Sequence, residues 1–131
     1  MAKGNIVVLK NNKLVTVQVE LESNECPVGY TSLRNALDGG YLEHIQYNRR
    51  LAENKIDMWC DEEGKLKELA PEIVVFERET NKIVEVLVGP IVFASSDGYG
   101  NSLPLTDAQI EIIKEELLQP VLLPYKCLAW K

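Results

Sequence analysis

Residues 39–69, GGYLEHIQYNRRLAENKIDMWCDEEGKLKEL, hold most of the side chains in this sequence that could do chemistry. Glu43 and the run Asp61-Glu62-Glu63 supply carboxylates, which in a shared cleft would perform acid–base work or attract a cation. The run precedes Gly64 in a hairpin turn, where acids are ordinarily solvated, and its spacing is not that of a calcium loop. No metal site is expected there. His44 is the single histidine, so any Ser-His-Asp or Cys-His arrangement must use it. It falls mid-strand, with no GxSxG turn elsewhere, and is expected to be hydrogen-bonded or exposed. The stretch from Ser95 to Ser102 offers amides and hydroxyls to an anion but lacks the lysine of a phosphate loop. No catalytic residue and no cofactor is assigned.

Recognition is the other chemistry on offer. Tyr41, Tyr47, Trp59 and Tyr99 could stack on a base, although strand aromatics more often pack. Met58 and Cys60 are expected to face a core, which turns Trp59 to the opposite face, under another layer or toward a partner. Tyr41, Glu43, Arg49, Trp59, Asp61, Glu62, Glu63 and Tyr99 are the candidate binding residues.

These groups ride on short elements. Val15, Val17, Val19 and Leu21 alternate with Thr16, Gln18 and Glu20, the period-2 pattern of a half-buried strand. With Ile6–Leu9 and a turn at Asn11-Asn12 they predict a hairpin over 6–21. A loop follows over 23–30. Thr31 or Ser32 is expected to cap a short connector helix through about Asp38, stopped by Gly39-Gly40. Residues 41–47 and 56–60 read as strands, with a loop or frayed turn over 48–54 between them. Gly64 is expected to supply positive φ to the acidic turn. Ile73–Phe76 reads as a strand, and Lys82–Ala94 as another that Gly89-Pro90 interrupts with a bulge, bend or edge. Thr106-Asp107-Ala108-Gln109 is a capping box opening an amphipathic helix, with Ile110, Ile113, Leu117 and Leu118 on its apolar side and Pro120 at its end. The remaining tail is too apolar to be free and should pack on the domain or on another subunit. The sum is an α+β fold: a small, mainly antiparallel sheet, a short connector helix, and a C-terminal amphipathic helix packed on the sheet.

Composition narrows the function classes. The 131 residues fit one domain, 1–131, with 46% hydrophobic and 26% charged residues, ordinary values for a globular chain. A net charge of −6 argues against a binder of nucleic acid duplexes. It leaves a basic partner open. No segment reaches the roughly 18 apolar residues of a membrane span, and Ile6–Leu9 is too short for a signal-peptide core. The expectation is a cytoplasmic protein, in the host cell if phage-encoded. Cys26, Cys60 and Cys127 are odd in number and lack a CxxC pair, which suits reduced thiols.

Three blocks, Gly39-Gly40-Tyr41-Leu42-Glu43, Cys60-Asp61-Glu62-Glu63-Gly64-Lys65-Leu66 and Leu103-Pro104-Leu105-Thr106-Asp107-Ala108-Gln109, resemble those of the domain of unknown function 3846 family. Val86–Phe93, with its central Gly89, is similar to that family's strand-Gly-strand block. The resemblance covers about residues 5–117 and leaves 118–131 as an extension. Asp61 and Glu72 stand where the family usually has asparagines. Members are small proteins of bacteria, plasmids and phages, so the resemblance implies a mobile-element context rather than a reaction. The expected function is a non-enzymatic accessory protein of a phage or mobile element that acts by binding, in counter-defence: it would sequester a nucleotide-type ligand or block a host protein. A homo-oligomer through the C-terminal tail is also expected. The alternative is a small hydrolase using Glu43 with the 61–63 carboxylates.

Overall fold

A computed structural model describes residues 2–22, 27–120, 123 and 125–130. The chain begins with the expected hairpin, β1 (Lys3–Lys10) and β2 (Lys13–Glu20), paired without a register shift. Asn11 and Asn12 both take positive φ, 52° and 61°, the conformation a two-residue primed turn requires. The loop expected over 23–30 lies outside the described residues through Cys26. Helix α1 (Tyr30–Ala36) follows. Its cap is Gly29 rather than Thr31 or Ser32, and among the described residues no side-chain bond caps it. The helix is held instead by Leu33, buried with the adjoining Leu37, as its seven-residue length demands. The helix ends at Ala36, short of the expected Asp38, and Asp38 is itself the first left-handed residue, at φ 57°, ahead of Gly39 at φ 88°.

Strand β3 (Leu42–Ile45), helix α2 (Arg49–Glu53) and strand β4 (Ile56–Asp61) come next. Helix α2 is more than a frayed turn. The side-chain oxygen of Asn48 accepts from Leu51 N at 3.0 Å while its amide donates to Glu116 Oε1 at 2.9 Å and to the Ala129 carbonyl at 3.1 Å. Asn48 is 1% exposed, so this capping residue also ties α2 to two later elements.

Strands β5 (Pro71–Glu77) and β6 (Ile83–Val88) form a second hairpin, and β7 (Ile91–Ser96) leads to the two-residue β8 (Ser102–Leu103). Helix α3 (Asp107–Glu116) carries the expected capping box between Thr106 and Gln109, and β9 (Lys126–Trp130) closes the fold. The helix ends at Glu116, before Pro120; Leu118 lies outside it and is 51% exposed, bridged to Cys127. The tail residues 126–130 pack on the domain, while Pro124 and Lys131 lie outside the described residues.

The α+β class holds, but the strands form two sheets. The main sheet runs β2-β1-β7-β4-β3, wholly antiparallel, with β8 on β7. The second runs β6-β5-β9, with β9 parallel to β5. Gly89-Pro90 is the joint between them. Gly89 takes φ 74°, and a Cβ there would lie 2.6 Å from Leu69 Cδ1. The proline that follows therefore marks a change of sheet rather than a bulge within one strand.

One core is filled from both sheets and α3, by Phe93, Met58, Val7, Ile73, Leu128 and Ile113 among others. The other face of the main sheet carries a smaller core, where Ile6, Val8, Val92 and Ala94 meet Leu33 and Leu37. Burial of each such aliphatic side chain contributes about 1.5–3 kcal/mol. Trp59 packs against this second core. It is thus on the face opposite Met58 and Cys60, as the alternation predicts, and is covered by the α1 layer. Among the described residues its indole N–H is buried without an acceptor.

Candidate functional site

Where the β3–β4 edge of the main sheet approaches β6 of the second, a cleft of about 140 Å³ opens, lined by Glu43, Tyr47, Cys60, Asp61, Glu62, Lys65 and Glu85. Leu87, Ile45, Val86 and Val88 complete its walls. Register explains the convergence. Glu43 lies opposite Cys60 in the β3–β4 ladder, so both project from one face. Glu85 comes from the strand that the Gly89-Pro90 joint sets across from them.

Asp61 is fixed rather than free. One carboxylate oxygen accepts from Lys67 Nζ at 2.7 Å and the other from Glu63 N at 2.9 Å. Burial raises its pKa, but these donors outweigh that effect and hold the carboxyl below its ordinary value. Gly40 leaves room for it, since a Cβ there would collide with the Asp61 carboxylate. Gly64 does not supply positive φ, contrary to expectation; the residue with left-handed backbone in this segment is Glu68, at φ 56°. Gly64 is needed for space, because a Cβ would sit 3.1 Å from Val88 Cγ2 and 3.2 Å from the Asp61 carbonyl.

On the opposite wall Glu85 accepts from Lys65 Nζ at 2.7 Å and from Val86 N at 2.8 Å. The Lys65 bond lowers the Glu85 pKa, and the carboxylate in turn raises that of Lys65. Glu43 has no hydrogen bond or ion pair among the described residues. Its charge is felt by its neighbours. Burial, then the Glu43, Asp61 and Glu85 carboxylates, push the Cys60 thiol up to about 11. Burial, then Glu85 and Glu43, also raise the Tyr47 hydroxyl. The cleft thus holds its protons and presents a negative field, the electrostatics of a site for a cation rather than a nucleophile.

The eight candidates divide around this cleft. Glu43, Asp61 and Glu62 line it. Glu63 touches it only through its backbone N–H bond to Asp61. Tyr41 sits beyond the rim, 5.2 Å beneath the Arg34 guanidinium. Trp59 is on the other face, its ring 4.9 Å from His44, whose Nε2 lies 3.2 Å from Asp57 Oδ1. Arg49 pairs with Glu53 along α2, at 2.8 Å. Tyr99, 90% exposed, tips a turn whose acid Asp97 accepts from Tyr99 N and from Asn101 N and Nδ2. Those bonds depress the Asp97 pKa, the Asn101 side chain foremost. The four aromatics do not form one stacking surface: Tyr47 instead packs on Trp130, with ring centroids 5.7 Å apart.

Sequence reasoning missed Lys65, Glu85, Tyr47 and Cys60 as parts of the site. One signal was available, a lone acid, Glu85, in the apolar run Ile83–Val88. Glu72, the second departure from the family pattern, lies elsewhere: 3% exposed, it accepts from Asn11 N at 2.7 Å and Asn12 N at 2.9 Å. It latches the first hairpin turn to the second sheet.

Among the described residues no group of three or more His, Cys, Asp or Glu is arranged to hold a metal ion, and no helix is long and apolar enough to cross a membrane. Comparison with curated proteins and with solved structures gives no match. The family model described as a domain of unknown function, DUF3846, matches residues 3–118, a span that contains every residue of the cleft, and the chain belongs to that family.

Proposed function

We propose that this chain is a non-enzymatic accessory protein of a phage or mobile element that works by binding, and that its ligand is a basic side chain of a protein partner. The observation that carries this reading is Glu43, an uncompensated carboxylate in a cleft where Asp61 and Glu85 already hold lysines. Four carboxylates and one lysine line the walls. A phosphate-bearing ligand would meet repulsion there, whereas an ammonium or guanidinium gains charge-assisted bonds. The volume suits one side chain rather than a nucleotide. This favours blocking a host protein over sequestering a nucleotide. A hydrolase would need Asp61 free for proton transfer, and Lys67 occupies it.

The test is an amide-resolved NMR titration with Nα-acetyl-arginine amide, its lysine counterpart and a panel of cyclic nucleotides. The basic compounds should shift Glu43, Tyr47, Cys60, Lys65 and Glu85. Glu43→Gln should weaken binding about tenfold, the loss expected for one charge-assisted bond. Tyr99→Ala should leave it unchanged. Shifts produced by the nucleotides alone, or by neither class, overturn the proposal.

A further inference from the structure

Independently of the cleft, the free edge of the main sheet has the geometry of a self-complementary interface. Among the described residues β2 pairs with β1 alone. It is eight residues long, with no proline, glycine or bulge. The opposite edge of that sheet, β3, has four residues, and the β5–β6 pair of the second sheet carries two register irregularities. Natural sheets blunt their edges with such shortness, bulges or prolines. In β2 none of these devices is present. Beside it lies an apolar groove of about 540 Å³, floored by Val15, Val17 and Val19 of β2 with Ile6 and Val8, and walled by Ala36 of α1. Val15 is 51% exposed.

We propose that a second copy of this chain occupies this edge, β2 against β2 across a two-fold axis, joining the two main sheets into one. Hairpin geometry sets the register. The two-residue turn makes Lys10 and Lys13 its closing pair, so residues 13, 15, 17 and 19 turn their amides and carbonyls toward β1. Residues 14, 16, 18 and 20 turn theirs outward. A two-fold axis perpendicular to the sheet keeps side chains on their own face, so it must pass through a residue. With the axis at Val17, Thr16 bonds Gln18 of the second copy and Leu14 bonds Glu20, which uses all four outward residues of each strand. Centred at Thr16, the register leaves Glu20 unused and sets Val19 against Lys13. The Val17 register instead places Val17 on Val17 and Val15 on Val19, extending each groove floor across the axis. The occupant is thus fixed by pattern: both the outward bonding residues 14, 16, 18 and 20 and the valines 15, 17 and 19 are symmetric about Val17, so an antiparallel copy of the same strand matches them all.

The experiment measures mass by light scattering and then register by cross-linking. The parent chain should run at twice its 14.8 kDa in the micromolar range. Thr16→Pro removes an outward N–H that bonds nothing among the described residues, and should raise the dissociation constant about tenfold or more while circular dichroism stays that of the parent. In a Cys26→Ser, Cys60→Ser, Cys127→Ser background, Val17→Cys should oxidise to a covalent dimer. Val15→Cys alone should not, but should cross-link to Val19→Cys when the two variants are mixed. A 14.8 kDa mass up to about 100 µM overturns the proposal, as does cross-linking through position 15 alone as fast as through 17. If the triple-serine background fails to fold, the Thr16→Pro dissociation measurement decides alone.

Discussion

Replacing Glu72 offers the sharpest check on how the two halves of the fold are joined. The carboxylate belongs to β5 in the second sheet, is 3% exposed, and accepts from Asn11 N and Asn12 N in the turn of the first hairpin. Both bonds are charge-assisted, and such bonds contribute about 1.5–3 kcal/mol each. Glu72→Ala removes both acceptors, but Asn11 is exposed and its amide can turn to water, which halves the cost on that side. The net destabilisation is about 2–4 kcal/mol. Glu72→Gln keeps one oxygen at the same reach and loses the charge, and should cost about half as much. For a chain of this length each kcal/mol lowers Tm by about 3–4 °C, so the alanine variant should melt about 6–16 °C below the parent. Urea unfolding with an unchanged m value would separate a true loss of stability from a change in the denatured state. A fall under about 2 °C for alanine, or equal falls for alanine and glutamine, would refute the latch.

Two further outcomes follow from the cleft. The Asp61 carboxyl lies below its ordinary value in the fold, as does that of Glu85, so both stabilise above the unfolded carboxylate range near pH 4 and lose that contribution as pH falls through their lower folded values. Asp61→Asn should therefore cost about 1–3 kcal/mol at pH 7, and the gap to the parent should close below about pH 4; a gap independent of pH counts against the Lys67 pairing. Cys60, raised to about 11, should be about one part in a thousand thiolate at pH 8, against about one in four for a free cysteine. In a Cys26→Ser, Cys127→Ser background its alkylation by iodoacetamide should run at least about 200-fold slower than that of glutathione. A rate within tenfold of glutathione would mean the thiol is neither buried nor surrounded by carboxylates.

The parts of this fold that announce themselves in sequence are those fixed by neighbours along the chain. The first hairpin could be read because Val15, Val17 and Val19 alternate and two asparagines tolerate positive φ. The helix at Asp107 could be read because Thr106 and Gln109 satisfy each other's backbone. The α1 cap could not, since Gly29 offers no side chain and the helix is held by Leu33 and Leu37 from within the core. Parallel pairing of β5 with β9 joins Val74 to Cys127, and no local pattern encodes that partner. The site divides in the same way. Glu43, Asp61, Glu62 and Lys65 stand in two neighbouring sequence blocks, but Glu85 enters the cleft only because Gly89-Pro90 carries the chain from one sheet into the other.

The position of β7 at the middle of the main sheet also sets a timetable. Val7 pairs with Phe93, a residue made 86 positions later. At a synthesis rate of about 5–20 residues per second, β1 waits about 4–17 s with its far side open. During that interval Val7 and Leu9, fully buried at the end, lie exposed on a hairpin that has already formed on the microsecond scale. The strand that shields them must come from the distant half of the chain, so folding is dominated by long-range pairing and belongs to the slower, millisecond-to-second range. A nascent chain of this design depends on whatever keeps that hairpin solitary until residue 96 has cleared the ribosome.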